Sequence, residues 1–117
     1  MEMGDIEERL QRGIAFKVEG RYEEALAELL EVVRADGSFC EGRRQLGLVY
    51  GFTGLFDESI EELKKAVDLN PQNVECRNDL AMTYAMLGMY DEAKVEFNAV
   101  LELDPSNEVA KRELVYF

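Results

Sequence analysis

Residues 40–73 read CEGRRQLGLVYGFTGLFDESIEELKKAVDLNPQN, and residues 74–107 repeat their pattern as VECRNDLAMTYAMLGMYDEAKVEFNAVLELDPSN, with no insertion or deletion. Residues 6–39, IEERLQRGIAFKVEGRYEEALAELLEVVRADGSF, place the same kinds of residue in the same register. The chain therefore contains three consecutive units of 34 residues. A period in this range predicts a stacked repeat array rather than a globule built around one central site.

Each unit is divided near its middle by a glycine, with an aromatic residue two positions later. The glycines are Gly20, Gly54 and Gly88, and the aromatic residues are Tyr22, Phe56 and Tyr90. Because glycine suits the left-handed residue that ends a helix, each unit is predicted to hold two amphipathic helices, A before the glycine and B after it. The expected A helices are 6–19, 40–53 and 74–87, and the expected B helices are 23–36, 57–69 and 91–103. Asp57 and Asp91 are the expected N-caps of the last two B helices.

The residues at these positions resemble the tetratricopeptide repeat (TPR). The family's Leu-Gly-x-x-Tyr cluster is matched at residues 46–50 and 80–84, its Gly-x-Tyr-x-x-Ala cluster at residues 20–25 and 88–93, and its terminal proline at Pro71 and Pro105. The first unit departs from the pattern, with Arg12 in place of the leucine and Gly37 in place of the proline. The resemblance covers about nine-tenths of the chain. It implies an all-α fold, a right-handed α-solenoid of antiparallel helix pairs with about seven helices.

A single domain over residues 1–117 follows from this resemblance. Its repeats are expected at 6–39, 40–73 and 74–107, with a C-terminal helix at 108–117 that begins after Ser106 or Asn107. Each helix pair of such an array buries its apolar side only against its neighbours, and about three repeats are the usual minimum for stability.

The charge balance restricts the partners that we expect. Twenty-five acidic and thirteen basic residues give a net charge of −12. This charge disfavours nucleic acid, whose binding depends on cationic contacts with phosphates, and it disfavours anionic membranes for the same reason. Basic or apolar protein partners are favoured instead.

The sequence also predicts a cytoplasmic location. The start, residues 1–8, is acidic and lacks the basic and apolar regions of a secretory signal, and no apolar run approaches the ~18 residues of a membrane span. Cys40 and Cys76 are too few for a disulfide framework and are not in a CxxC spacing. We therefore expect reduced thiols.

No chemistry of an enzyme is visible in the residues. The chain has no histidine, which removes the commonest general base and metal ligand. It contains no nucleophile elbow, phosphate loop or dinucleotide-binding glycine pattern, and its cysteines would lack a histidine partner. We predict a protein that is not an enzyme and that uses neither metal nor cofactor.

The A helices carry two apolar faces. Leu46, Gly47 and Tyr50, with their equivalents, form the face that packs within the array, and a second stripe lies roughly 150° away around the helix. The stripe comprises Leu10, Ile14 and Val18 in the first A helix, Leu48 and Phe52 in the second, and Met82 and Met86 in the third. The resemblance places this stripe on the concave surface, where peptides dock. Either neighbouring A helices cover the stripe themselves, or it forms an open groove for a partner.

The predicted groove includes polar residues at its margins: Lys17, Arg44, Asn78 and Arg112. Lys17, Arg44 and Arg112 would favour acidic flanks on a bound segment, whereas Glu7, Glu41 and Glu75 would favour basic ones. Arg9, Arg43, Arg77 and Lys111 form a separate ladder at the same 34-residue spacing. This ladder is either a rail for an acidic partner or, as we favour, a set of basic side chains over the repeat junctions that meet nearby carboxylates.

The expected function is a protein–protein interaction module or adaptor that holds an apolar or amphipathic segment of another protein or peptide in this groove. Some members of the family bind acidic chaperone tails through a carboxylate clamp of two lysines, two asparagines and one arginine. The matching positions here are Leu10, Ile14, Gln45, Glu75 and Asp79, none of which fits. The alternative function is a self-associating scaffold, a homodimer formed through the groove or through the apolar C-terminal residues 114–117.

Overall fold

The computed structural model describes residues 3–117, so the first two residues of the predicted domain lie outside the described part. All regular structure within residues 3–117 is helical. The seven helices there are α1 (Met3–Val18), α2 (Tyr22–Ala35), α3 (Cys40–Phe52), α4 (Phe56–Leu69), α5 (Val74–Met86), α6 (Tyr90–Leu103) and α7 (Glu108–Leu114). The predicted all-α fold with about seven helices is confirmed. None of these helices, across the described chain, is both long and apolar enough to cross a membrane.

The helices follow one another as antiparallel pairs, α1 with α2, α3 with α4 and α5 with α6. Each B helix also packs against the A helix of the next repeat, and α7 packs against α6 as an A helix would. This serial arrangement is a solenoid, and it is elongated, with principal extents of 42, 26 and 20 Å.

The turn inside each repeat depends on its glycine. Gly20, Gly54 and Gly88 have φ angles of 79°, 82° and 76°, in the left-handed region that residues with a Cβ rarely adopt. These values confirm the helix ends expected from the sequence.

The predicted N-caps of the B helices are wrong. The residues that occupy the N-cap positions of α4 and α6 are Leu55 and Met89, whose side chains make no capping hydrogen bond. Asp57 and Asp91 lie inside the first turn, because the helices begin one residue earlier, at the aromatic residue. Their carboxylates therefore act on the positive end of the helix dipole rather than as caps.

The last helix is shorter than predicted, ending at Leu114 instead of residue 117. Its start is confirmed, since the Asn107 side chain accepts a hydrogen bond of 3.0 Å from the amide of Ala110. After Leu114 the chain turns, and the Phe117 ring packs 6.1 Å from Phe97 and 5.6 Å from Tyr90, measured between ring centroids. This return closes part of the end of the array.

Close contact between the A and B helices of a repeat is made possible by a small residue. A Cβ built on Gly47 would lie 2.8 Å from Leu63 Cγ and 3.2 Å from the carbonyl oxygen of Ser59. In the first repeat, a Cβ on Gly13 would likewise lie 2.8 Å from Leu29. Leu29 and Leu63 are fully buried, so the small residue is what lets each leucine side chain reach the core.

The arginine ladder joins the two helices of each repeat. The pairs are Arg9–Glu28 at 3.5 Å, Arg43–Glu62 at 2.9 Å and Arg77–Glu96 at 2.9 Å. The guanidinium groups of Arg43 and Arg77 also donate to the carbonyls of Gly37 and Pro71 in the preceding loops. All three arginines meet carboxylates of their own repeat, and Arg43 and Arg77 also reach the loop at the junction with the preceding repeat, as the favoured interpretation expects.

Candidate functional site

A pocket of about 140 Å³ opens between α3 and α5, the A helices of the second and third repeats. Four residues of the predicted groove line it: Leu48, Phe52, Met82 and Met86. Five residues that we had not placed in the groove complete the wall: Gly51, Phe56, Ser59, Asp79 and Thr83. Phe56 and Ser59 belong to α4, and counting around the A helices alone could not reveal them.

The apolar side chains at this pocket are only partly covered. Phe52 is 59% exposed and Met86 is 66% exposed, while Leu48 and Met82 are half-buried. One side of the Phe52 ring is covered by Tyr22, with the two rings stacked at a centroid distance of 5.7 Å. Tyr22 on the B helix α2 therefore covers part of the stripe, and the rest of Phe52 and Met86 is open to solvent.

Leu10 does not lie in an open groove. Its side chain is only 3% exposed and belongs to the apolar cluster shared by α1, α2 and α3. The equivalent positions in the next repeats, Arg44 and Asn78, also face a neighbouring A helix, since Arg44 bonds Asp79 on α5 and Asn78 bonds Asn107 beside α7. This position of the repeat thus fills the junction between A helices.

The other predicted residues of α1 and α7 do not line the pocket between α3 and α5. Ile14 is half-buried against the apolar cluster shared by α1, α2 and α3, and Val18 is exposed at the end of α1. Arg112 is exposed on α7 and forms its ion pair with the adjacent Glu113, at 3.3 Å. The structure therefore brings together the groove residues of the second and third repeats, with those of the first repeat set apart.

A polar network links Lys17, near the end of α1, with residues in the first half of α3. The ammonium group of Lys17 on α1 donates to Gln45 Oε1 on α3 at 2.7 Å. The amide nitrogen of Gln45 donates in turn to Glu41 at 2.8 Å, and Glu41 pairs with Arg44 at 3.1 Å. Burial of Lys17 lowers its pKa, and the positive charge of Arg44 adds to this effect.

Arg44 connects this network to α5. Its Nε atom donates to Asp79 Oδ2 at 2.6 Å, and its Nη1 atom lies 3.4 Å from Glu75 Oε2. Burial raises the pKa of Asp79, and the hydrogen bond from Arg44 only partly opposes this. Burial alone would lower the pKa of Arg44. The hydrogen bond to Asp79 and the carboxylates of Glu41 and Glu75 outweigh this effect and raise the pKa of Arg44.

Four of the five positions that the resemblance aligns with the carboxylate clamp hold groups of a different kind, and the fifth, Gln45, has an amide on a longer side chain than asparagine. Leu10 is buried, Ile14 is apolar, and Gln45 is engaged by Lys17 and Glu41. Glu75 and Asp79 present carboxylates where the clamp would present cations. An anionic group placed there would face like charges, which is electrostatically unfavourable.

Replacing Arg44 with methionine is expected to lower the free energy of unfolding by about 1–3 kcal/mol near neutral pH, because the half-buried Asp79 carboxylate loses its donor. The loss of Arg44 raises the folded-state pKa of Asp79 further above its unfolded value of 3.8. This contribution of Asp79 to the deficit is absent at low pH, where the carboxyl is protonated in both folded proteins, and it grows as pH rises from the folded-state pKa of the wild type to the higher one of the variant.

Urea unfolding of the wild type and of Arg44→Met across this pH range measures the effect. Comparing Asp79→Asn with the double variant Arg44→Met/Asp79→Asn should give a difference without this pH dependence, because neither protein then carries the Asp79 carboxyl. A deficit of the same size at every pH would show that Asp79 is not the group responsible.

Comparisons with known proteins agree with this architecture. The family model for the tetratricopeptide repeat matches residues 53–113, about half of the chain. No curated protein matches the sequence. The first TPR of Spaghetti (RPAP3), solved with the HSP90 peptide SRMEEVD, superposes with a TM-score of 0.93 at 22% identity, over 99% of this chain and 92% of that one.

Two further solved structures are similar to the chain. The second TPR domain of human RPAP3, solved in complex with the HSP70 peptide SGPTIEEVD, has a TM-score of 0.88 at 26% identity, over 96% of this chain and 93% of that one. The Arabidopsis OM64 TPR domain also has a TM-score of 0.88, at 21% identity over 94% of this chain and 91% of that one. Together with the family match and the three glycine-centred helix pairs, these likenesses show that the chain belongs to the tetratricopeptide repeat family.

Proposed function

We propose that this protein is an interaction module that binds an apolar or amphipathic segment of a partner protein in the groove between α3 and α5. The observation that carries the proposal is the pair of exposed apolar side chains at one pocket, Phe52 on α3 and Met86 on α5. Burying a large apolar side chain stabilises a complex by about 1.5–3 kcal/mol, so covering both would supply a useful part of the binding free energy. Met82 and Met86 are flexible thioethers that can adapt to different apolar ligands.

The charges around the groove favour a segment with a basic flank. Lys17 and Arg44, which would otherwise attract an acidic flank, already bond to groups within the protein, Gln45 and Asp79. The Glu75 side chain remains 73% exposed beside Arg44 and can pair with a cation of the partner. The net charge of −12 adds a long-range attraction for basic segments.

Acidic chaperone tails are a poor match to this groove, although two of the similar domains were solved with such peptides. The chain carries none of the five clamp residues, and its Glu75 and Asp79 would repel a terminal carboxylate. The likeness to those domains supports peptide binding as a class of function, and the residues of this chain indicate a different peptide.

The substitution Met86→Glu is expected to weaken binding of a groove peptide at least about tenfold, because it removes apolar contact area and buries a charge. Peptides for the measurement can be selected from a displayed library against the wild-type protein and their affinities determined by calorimetry. Val95→Glu on α6 is the matched control, since Val95 is also 66% exposed but does not border the pocket. Equal affinities for the wild type and Met86→Glu, across all selected peptides, would refute the groove assignment.

The peptide SRMEEVD is expected to give no saturable heat of binding with this protein, because its carboxylates would meet Glu75 and Asp79 rather than cations. Calorimetric titration in low-salt buffer is the most sensitive form of the test, since salt screens the charges involved. Saturable binding that is weakened by Met86→Glu would show that the groove accepts acidic tails after all.

Self-association is the second candidate function, and one observation favours it. Val115 and Tyr116 are exposed at the end of the described chain, beside a pocket of about 540 Å³ between α5, α6 and residues 113–117. Exposed apolar residues next to an aromatic-lined pocket are typical of protein contact sites. Folding back of Phe117 covers only part of this end.

If self-association is the function, the molecular mass measured by light scattering should rise with protein concentration. Val115→Glu should abolish the rise, because it places a charge in the apolar contact between the two copies. The monomer should tolerate the substitution, because Val115 is exposed. Val95→Glu again serves as the control for an added surface carboxylate. A monomer at every concentration would remove this candidate and leave the groove proposal unaffected.

A further inference from the structure

The two cysteines of the chain, which belong to successive repeats, are in contact. Cys40 is the first residue of α3, Cys76 is the third residue of α5, and their sulfur atoms lie 3.8 Å apart. Both are free thiols. They stand 36 positions apart in the chain, so they occupy non-equivalent places in their repeats.

We infer that Cys40 and Cys76 are a redox modification site: a small-molecule disulfide, such as oxidised glutathione, converts them into a reversible disulfide bond that joins α3 to α5. A disulfide has a sulfur–sulfur distance of ~2.05 Å, so the two atoms must approach by somewhat less than about 2 Å. A change of side-chain rotamer with a small adjustment of the helices can supply a movement of that size.

The surrounding contacts keep the two sulfur atoms together. One turn further along the same helices, Arg44 on α3 is bonded to Asp79 on α5 at 2.6 Å. Cys40 Sγ also donates to the carbonyl oxygen of Ala66 at 3.3 Å, which holds it at the junction with α4. The thiols are therefore held in apposition by the fold rather than brought together by chance collisions of mobile segments.

The two thiols differ in access, and this fixes the order of the reaction. Cys40 is half-buried, whereas Cys76 is fully buried. Burial, with the nearby Cys40 as a second cause, raises the pKa of the Cys76 thiol to about 12, so the buried sulfur is a poor first nucleophile. Cys40 reacts first, and Cys76 acts as the resolving thiol.

The exchange balances without any further reagent. The Cys40 thiolate attacks one sulfur of oxidised glutathione, a Cys40–glutathione disulfide forms, and one glutathione thiolate leaves. Cys76 Sγ then attacks Cys40 Sγ, the protein disulfide forms, and the second glutathione leaves as the thiol, carrying the proton of Cys76. Two protein thiols have been oxidised and one glutathione disulfide has been reduced to two thiols. An excess of reduced glutathione reverses both steps.

The disulfide would fix the spacing of α3 and α5 at the start of both helices, whereas the pocket lies near their ends. Cys40 lies at the start of α3, whereas Leu48 and Phe52 lie near its end. A cross-link that closes a loop of this length is expected to raise the melting temperature by roughly 10 °C. The inference stands independently of what the groove binds.

Intact mass analysis tests the proposal. The purified protein is incubated with oxidised glutathione, quenched in acid, denatured, alkylated and weighed. The expected product is a monomer lighter by two hydrogens, with no alkyl group and no glutathione attached, and with the higher melting temperature in the absence of reductant. A stable glutathione adduct, a covalent dimer, or two thiols that remain open to alkylation would each overturn it.

Two variants separate the steps. Cys76→Ser should stop at a glutathione adduct on Cys40, because the resolving thiol is missing, whereas Cys40→Ser should remain largely unreacted, because Cys76 is buried. Circular dichroism confirms that each variant is folded. If a variant is not folded, comparing the melts of oxidised and reduced wild type still decides the question, and equal melting temperatures would contradict the proposed bond.

Discussion

The close approach of helices A and B within each repeat is the constraint on which the rest of the structure depends. Leu63 reaches the core only because Gly47 has no side chain, and Leu29 does so because of Gly13. In the third repeat the equivalent residues, Ala81 and the larger Phe97, are both fully buried in one cluster. This pairing fixes which face of each A helix turns toward its own B helix. The opposite face is then left for the neighbouring repeat and for solvent.

What covers that opposite face changes along the helix. At the start of α3 and α5 the junction is closed by polar and thiol contacts, Arg44 with Asp79 and Cys40 with Cys76. Toward the ends of the same helices, the apolar side chains of Leu48, Phe52, Met82 and Met86 border an open pocket. The seam between α3 and α5 therefore has a filled polar half and an open, mainly apolar half.

The repeat period, helix order and glycine turns were predictable from sequence because they depend on local propensity and on identical spacing. Side-chain contacts between A helices were not, because they do not follow the 34-residue period: Arg44 meets a residue 35 positions away, Cys40 one 36 positions away, and Lys17 one 28 positions away. Leu10 was misplaced because its burial depends on packing with α2 and α3, which a count around α1 alone does not show. The return of Phe117 likewise depends on the distant ring of Phe97.

The polar half of the seam bears on selectivity even though it binds nothing itself. A ligand carboxylate aimed at Arg44 would have to displace Asp79 and Glu41 from a guanidinium that is already paired. Removing one member of such a partly buried pair leaves an uncompensated charge, which costs more than a surface contact returns. A cation of the ligand meets a smaller obstacle at Glu75, which lies 3.4 Å from Arg44 Nη1 but remains 73% exposed. Affinity must then come mainly from the apolar half, at Phe52 and Met86, with the charges deciding which apolar segments are accepted.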